Sequence, residues 1–580
     1  MPSPSTTFAD PIDMQNRLFS ELSRMFGEEV PLYDKSLLVN HVCNRAVCDL
    51  LAKRHKGFAI TDQQLDKTSG ERHGAIRIGR PDEYRWVGRF FACFAMHPHN
   101  FYDMTSVGTK SQPVIATAFR SMVHPEHRVF TSLLQTNYFD PETKSRIESL
   151  LSQRSIFSNR AKALIEKSEH NAGLSWDDAS ALIAEGVERI FKWTGQAKDH
   201  DLYKHLCDAG FKIAADIACF QAHHLNHLTP NTFCMDLYTA AMKFCMGEMD
   251  EPTFRDRAAR ALRHAVKTGD RDFMRLSFKH LTRDEIASFT ESCVDPSELD
   301  ALIDRLVTRL TNPDLHLSKL KHAGFKDSTE GPTVDTPVLL RQDAYKALTE
   351  PVHFTNPDGS ELDTVHTARF GEIEQRFYAT TPKGRTLYDN CLAAAEADPE
   401  LTTALLKSDP IAHAERQATH FAPFPKTLPE LVEQGLVYAR YEVTDKGRAS
   451  RGMISTTNIN ELVRSGHVAC DGLRYEDFLP VSAAGIFASN LSQYGTKSTA
   501  SVKPTYTQAM LEEILGKPIV DADAVYRGLW ADSLLGVYAE LGVLDRLDPT
   551  VRRRLEEDAE ACPRDARYRF SERSVLAARA

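Results

Sequence analysis

Apolar positions in the first sixty residues recur at spacings of three and four, the period of a helix. From Asp13 to Phe26, the residues Leu18, Phe19, Leu22 and Met25 fall on one face, and a second such pattern runs from Leu37 to Leu51. The texture then changes. Glu71–Gly79 (ERHGAIRIG) is short, bounded by glycine and rich in isoleucine, which predicts a strand. Val129–Leu134 adds an apolar segment before a helical stretch from Glu142 to Lys167, and Trp86–Met96 is apolar enough for either element. Ala214–Leu228 (AADIACFQAHHLNHL) is expected to form a strand ending at Thr229-Pro230. Helical periodicity then holds from Phe233 to about Leu315, where Leu299, Leu302, Ile303 and Leu306 line one face. Strand-like texture returns at Thr336–Arg341 and Ala368–Thr380, and Pro382 opens a helix through Ala395 at a position where its missing N–H costs nothing. The pattern divides the chain into residues 1–233, a helical insertion at 234–312, a second half at 313–491, and a helical region with a charged tail at 492–580.

Composition narrows the function classes. The 580 residues, 42% hydrophobic and 26% charged, are those of an ordinary folded protein. Acidic residues outnumber basic ones by 80 to 70, the net charge is -10 and no long basic block appears, which disfavours nucleic acid as a partner. No run of 18 uncharged apolar residues exists, so a membrane span is not expected. The N-terminus lacks a basic start and an apolar core, so no secretory signal is expected either. Eleven cysteines, an odd number without a C-x-x-C, point to a reducing compartment and hence the cytoplasm.

Candidate chemistry lies among the 22 histidines and a pair of glutamates. His97/His99 and His124/His127 have metal-like spacing but sit beside proline in predicted loops, so ordinary polar roles are expected. On a strand, His223 and His227 would share a face while His224 points away, and spacing alone favours structural roles for all three. In RFGEIEQRFYA, alternation puts Glu372, Glu374 and Arg376 on one face and Ile373, Gln375 and Phe377 on the other. Two carboxylates on one side repel if buried without a cation. An exposed edge strand with an ion pair to Arg376 answers that, and so does a bound metal; the residues alone do not choose.

Eight segments, in order, carry a resemblance that does choose. They are GERHGAIRIG (Gly70–Gly79), ATAFR (Ala116–Arg120), RVFTSLL (Arg128–Leu134), HHLNHLTP (His223–Pro230), VLLRQDAYKAL (Val338–Leu348), HTARFGEIEQR (His366–Arg376), TPKGRTLYD (Thr381–Asp389) and RYEDFLPVSAAGIF (Arg474–Phe487). Together they resemble the 2-oxoadipate dioxygenase/decarboxylase family, the 2-hydroxyglutarate synthases of the vicinal oxygen chelate superfamily. The resemblance implies an α/β (α+β) fold with a central barrel of that superfamily's type, its halves at 1–233 and 313–491, surrounded by helices. It implies iron(II) held by His73, His227 and a glutamate of FGEIEQR. Glu372 is preferred to Glu374, because F-x-E-I-x-Q-R resembles the last metal strand of 4-hydroxyphenylpyruvate-type dioxygenases, where the first glutamate binds. The implied reaction takes 2-oxoadipate and O2 to 2-hydroxyglutarate and CO2, in lysine or related amino-acid catabolism.

Arg77, four residues after His73 and so on the same face of a strand, is the implied substrate arginine, and Val481 and Ser482 belong to the implied substrate loop. Gln342 and Arg120 stay open between support of the site and plain core polarity. Two positions depart from the family pattern: Asn231 stands where arginine is expected after HLTP, and Phe377 where glycine is usual. Alternative readings keep the fold and metal but change the 2-oxo acid or make the chemistry an isomerisation. A non-catalytic scaffold is a further alternative, against which the intact His73, His227, Glu372 and Arg77 speak.

Overall fold

The computed structural model describes residues 8–105, 111–326, 329–479 and 505–563. Helix α1 (Pro11–Glu29) starts at Asp10, whose carboxylate accepts the backbone N–H groups of Ile12 and Asp13. It buries Leu18, Phe19, Leu22 and Met25, the stripe expected from their spacing. Helix α2 (Pro31–Arg54) follows and packs against it.

Five strands form the main sheet: β1 (Arg72–Ile78), β2 (His97–Asp103), β3 (Val114–Arg120), β4 (His127–Leu134) and β5 (His227–Pro230). Their order is β2-β3-β4-β1-β5; β1 runs parallel to β4, and the other neighbours are antiparallel. Strands β6 (Leu340–Ala344) and β7 (Glu372–Arg376) form a separate antiparallel pair. That pair meets the main sheet through a parallel bridge between Asn231 and Glu374, where the Thr232 N–H donates to the Glu374 carbonyl at 2.8 Å.

The expected α/β mixture is present, but among the described residues the strands form open sheets rather than a closed barrel. Strand β5 is four residues long and ends at Pro230, which has no N–H to extend the ladder, so the connection to β7 narrows to one bridge.

A second correction concerns Ala214–Leu228. Residues Lys212–Cys219 form a helix, α3, followed by a loop, and only His227 enters β5. Seven of the eight α3 residues are buried, so the helix has no polar stripe and its apolar run imitates a strand. The shared strand face expected for His223 and His227 therefore does not exist. His223 lies before β5 with its Nε2 3.2 Å from a Glu83 carboxylate oxygen.

Residues 234–312 are largely helical, with helices at Met235–Cys245, Glu251–Thr268, Arg271–Ser277, Arg283–Ser288 and Pro296–Leu310. The first, second and last pack on α2 and join its apolar core. Trp86–Met96 falls largely within a helix, Pro81–Ala92. No described helix is long and apolar enough to cross a membrane.

Candidate metal centre

Registers fix which side chains meet. His73 lies opposite Arg128 on β4 and opposite Thr229 on β5, and Ala75 lies opposite His227. Directly opposed residues share a sheet face. One face therefore carries His73, Ala75 and Arg77 from β1, Arg128, Phe130 and Ser132 from β4, and His227 and Thr229 from β5. The bridge at Asn231 brings Glu372 and Glu374 of β7 to the same place.

His73, His227 and Glu372 each offer one ligand atom, and these atoms lie within 4.8 Å of one another. The His73 Nε2 is 3.1 Å and the His227 Nε2 3.5 Å from the same Glu372 oxygen, Oε2, which also accepts the Thr229 hydroxyl at 3.2 Å. All three residues are buried. The other ring nitrogen of His73, Nδ1, donates to Glu374 at 2.8 Å. His73 thus stands between two carboxylates, Glu374 on Nδ1 and Glu372 near Nε2; with an ion on Nε2, the Nδ1–H···Glu374 bond would orient the ring as in a metal-ligating histidine with an outer carboxylate. Two imidazoles and one carboxylate on one face are a donor set suited to a divalent transition metal, so the residues fit the ion that the family implies.

This geometry separates the two glutamates. Glu374 is fully buried and held by Arg376, whose Nε and Nη2 each donate at 2.8 Å, and by Arg128 Nη1 at 3.2 Å. Burial works against its ionised form, but Arg376, His73 and Arg128 outweigh it and hold the carboxyl well below the usual range. The exposed edge strand considered for this segment is thus excluded, while the ion pair to Arg376 exists. Arg128 also donates to Glu71 and, at 2.7 Å, to Glu476, which Lys279 of the helical region approaches at 3.4 Å. Arg474 reaches Asn231 Oδ1 at 3.3 Å, so a guanidinium from another segment stands beside the position where the family pattern has arginine.

Burial and the two carboxylates act differently on the two imidazoles. Burial pushes His227 down to about 4, against the pull of Glu372. Burial also lowers His73, but the carboxylates of Glu374 and Glu372 outweigh it and raise the group. Glu372 is lowered despite burial, through His227 and His73.

Arg77 lies on the His73 face and is ion-paired through Nη1 to Asp216 of α3. The other Asp216 oxygen faces His224 Nε2 and His366 Nε2, both at 3.5 Å, and the Tyr203 hydroxyl lies 2.7 Å from His366 Nδ1. Asp216 is a site residue the sequence did not disclose: one acid inside an apolar run, with partners from distant segments. Small buried side chains, Ala75, Ala116, Ala118 and Ser132, occupy the same face beside Arg77. Phe478 covers this region, its ring 5.0 Å from His73 and 5.4 Å from Phe130, and Phe370 lies 4.8 Å from His227. Arg120 pairs with Asp477 through two hydrogen bonds at 2.8 and 3.1 Å. Val481 and Ser482 lie outside the described residues.

Comparison with known proteins agrees with the geometry. The model of the 2-oxoadipate dioxygenase/decarboxylase family matches residues 18–249 and 299–490, leaving out a stretch inside the helical region. A 2-oxoadipate dioxygenase/decarboxylase of Pseudomonas putida is 33% identical over 542 residues, covering 90% of this chain and 96% of that one. The Escherichia coli protein of that name is 30% identical over 524 residues, covering 89% and 95%. The crystal structure of the Pseudomonas putida hydroxyglutarate synthase in complex with 2-oxoadipate superposes with a TM-score of 0.63 at 30% identity, over 92% of this chain and 99% of that one. With the family model spanning most of the sequence and these relatives matching nearly end to end, the chain belongs to the 2-oxoadipate dioxygenase/decarboxylase family of enzymes.

Proposed function

We propose that this enzyme holds iron(II) on His73, His227 and Glu372 and converts 2-oxoadipate and O2 to 2-hydroxyglutarate and CO2. The observation that carries the reading is the convergence of three buried donor atoms on a sheet face that also bears a buried arginine, Arg77. The relative solved with 2-oxoadipate supports the choice of substrate. When bound, iron(II) on a two-histidine, one-carboxylate face supplies the redox chemistry and open positions for a 2-oxo acid and O2.

The protein's own groups do the rest. Glu374 orients His73 through Nδ1, and the Thr229 hydroxyl orients Glu372. Arg77 binds the carboxylate at the far end of the substrate, where a planar guanidinium fixes direction as well as charge. Phe130 and Phe478 exclude water from the face between. Atoms balance without a further reductant. The six-carbon acid loses its 1-carboxyl carbon as CO2 and keeps all its hydrogens in the five-carbon product, and the oxygens of the acid and of O2 are all accounted for in 2-hydroxyglutaric acid and CO2. No separate 2-oxo acid cosubstrate is therefore required.

The same proposal includes a role in lysine or related amino-acid catabolism and a cytoplasmic setting, which the eleven free cysteines suit. It assigns Val481 and Ser482 to the substrate loop, and it reads the sheets as a vicinal-oxygen-chelate-type scaffold. Residues 234–312 are read as an insertion between residues 1–233 and 313–491, with 492–580 as a C-terminal helical region. The break in the family match supports the insertion. Oxygen uptake and CO2 release by iron-loaded enzyme, across a panel of 2-oxo acids, is the test. Equal consumption of O2 and 2-oxoadipate is expected, with 2-oxoadipate preferred; absence of turnover with 2-oxoadipate would remove the substrate assignment.

A further inference from the structure

Gln342 lies on β6 directly opposite Glu374 of β7, and opposed residues of an antiparallel pair project to the same face. Its strand neighbours project the other way. Arg341 pairs with Asp236 at 3.1 Å, and Asp343 accepts the Thr239 hydroxyl at 3.0 Å, both on the side of the helix Met235–Cys245. Gln342 therefore faces the side that bears Glu374, Glu372 and His73. It is 3% exposed, and among the described residues neither its amide nitrogen nor its amide oxygen has a hydrogen-bond partner. Burying an amide unpaired is costly, and a bound ligand is one way to satisfy such a group. Arg120, the other polar residue left open by the sequence, is fully engaged by Asp477 and has no such vacancy to explain.

The strand order and register put Gln342 and Arg77 on opposite sides of the His73, His227 and Glu372 cluster. Arg77 stands on β1 and Gln342 on β6, with His227 on β5 and Glu372 on β7 between them. A 2-oxo acid with its far carboxylate on Arg77 and its head beside His227 and Glu372 extends toward Gln342. We propose that the Gln342 amide N–H donates to the 1-carboxylate of the bound 2-oxo acid and so orients the group that leaves as CO2. This rests on the reading of His73, His227 and Glu372 as the metal centre and of Arg77 as the far-carboxylate site.

Gln342→Met keeps the length and removes the hydrogen-bonding groups, whereas Gln342→Glu sets a like charge against the carboxylate. The measurements are anaerobic dissociation constants of the metal-loaded protein for 2-oxoadipate and for 2-oxohexanoate, metal content, and the melting midpoint of the ligand-free protein. The two acids share a head and differ at the far end. Gln342→Met is expected to weaken both by about tenfold or more, the scale of a hydrogen bond to a charged group, and Gln342→Glu by more. Metal content stays unchanged. The ligand-free midpoint of Gln342→Met equals or exceeds that of the natural protein, because an unpaired buried amide has been removed; a structural glutamine would move it down.

Unchanged affinity for both acids would overturn the proposal, since solvent would then satisfy the amide. A loss confined to 2-oxoadipate would place Gln342 at the far end instead, and a lowered midpoint with lost metal would make it structural. Should Gln342→Met fail to fold, Gln342→Asn, which shortens the reach of the amide, must show the same paired loss, and full affinity there also overturns the proposal. Failure of the underlying reading looks different: Arg77→Ala would spare 2-oxoadipate, or the natural protein would bind neither acid.

Discussion

Glu374 and Asp216 are both buried carboxylates that lean on β1, one through His73 and the other through Arg77, yet they are held differently. Glu374 receives a two-pronged Arg376, Arg128 and an imidazole N–H, all within 3.2 Å. Asp216 has one guanidinium, and its second oxygen faces two imidazoles at 3.5 Å, too far for a good hydrogen bond. Burial opposes ionisation at Asp216, but His224, Arg77 and His366 outweigh it and hold the carboxyl well below its ordinary range. The difference separates two tasks. On the proposed reading, the closed set of ions would keep the metal ligand His73 in one orientation, and the looser set around Arg77 would admit a second carboxylate.

The most damaging way to break the contrast is to empty the closed set. Glu374→Ala leaves Arg128 and Arg376 buried without their shared acid, and a stability loss of about 3–5 kcal/mol is expected by denaturant titration. Glu374→Gln keeps the shape, and metal affinity by equilibrium dialysis should fall roughly ten- to a hundredfold. Affinity equal to the natural protein's would deny Glu374 its orienting role.

Arg77→Ala tests the looser set. It should cut kcat/KM for 2-oxoadipate by roughly a hundredfold or more, the scale of an uncompensated buried charge, without changing metal content. Turnover of 2-oxohexanoate should hardly change, and Arg77→Lys should recover only part because ammonium lacks the planar fork. Normal handling of 2-oxoadipate would make Arg77 structural.

Asp216→Asn sharpens the same point with a smaller effect. Loss of orientation at Arg77 is expected to cost about tenfold in kcat/KM for 2-oxoadipate, roughly one hydrogen bond to a charged group, and little for 2-oxohexanoate. Because the folded carboxyl titrates below its unfolded value, its stabilisation is present above about pH 4 and is lost as pH falls further. The variant should therefore show a flatter decline of stability in acid; an unchanged acid limb would contradict the linkage.

The smallest expected effect lies at Lys279, which touches Glu126 at 2.7 Å and Glu476 at 3.4 Å and so reaches the ions around Arg128 from the helical region. Lys279 is partly exposed, so solvent screens it, and Lys279→Met should change metal affinity by less than about fivefold. A complete loss of metal would show the region to be integral to the site.

Much of this arrangement was legible in the chain, for identifiable reasons. The alternation in RFGEIEQR correctly placed Glu372 and Glu374 together, because a two-residue period survives whatever the strand packs against. The resemblance supplied His73, His227 and Arg77, which the structure brings to one face. Arg128 was visible only as a letter in RVFTSLL, since its three acids lie 57, 246 and 348 residues away. Asp216 was hidden twice, by a helix that looks like a strand and by partners contributed from β1 and from residues 224 and 366. The open sheet edge at Pro230 was equally invisible, because nothing local announces which strand a four-residue segment will meet next.

The single bridge at Asn231 has a consequence for how the protein is made. His73 and His227 belong to one sheet, but Glu372 arrives on another pair of strands, 143 residues beyond its hydrogen-bonding partner Thr229. At ribosomal rates of roughly 5–20 residues per second, that gap means on the order of ten to thirty seconds of synthesis. Throughout that interval a nascent chain carries His73 and His227 but not Glu372. If the proposed triad holds the ion, its capture would wait until the β6–β7 pair has emerged and docked, and the growing polypeptide would pass most of its time on the ribosome without a complete site.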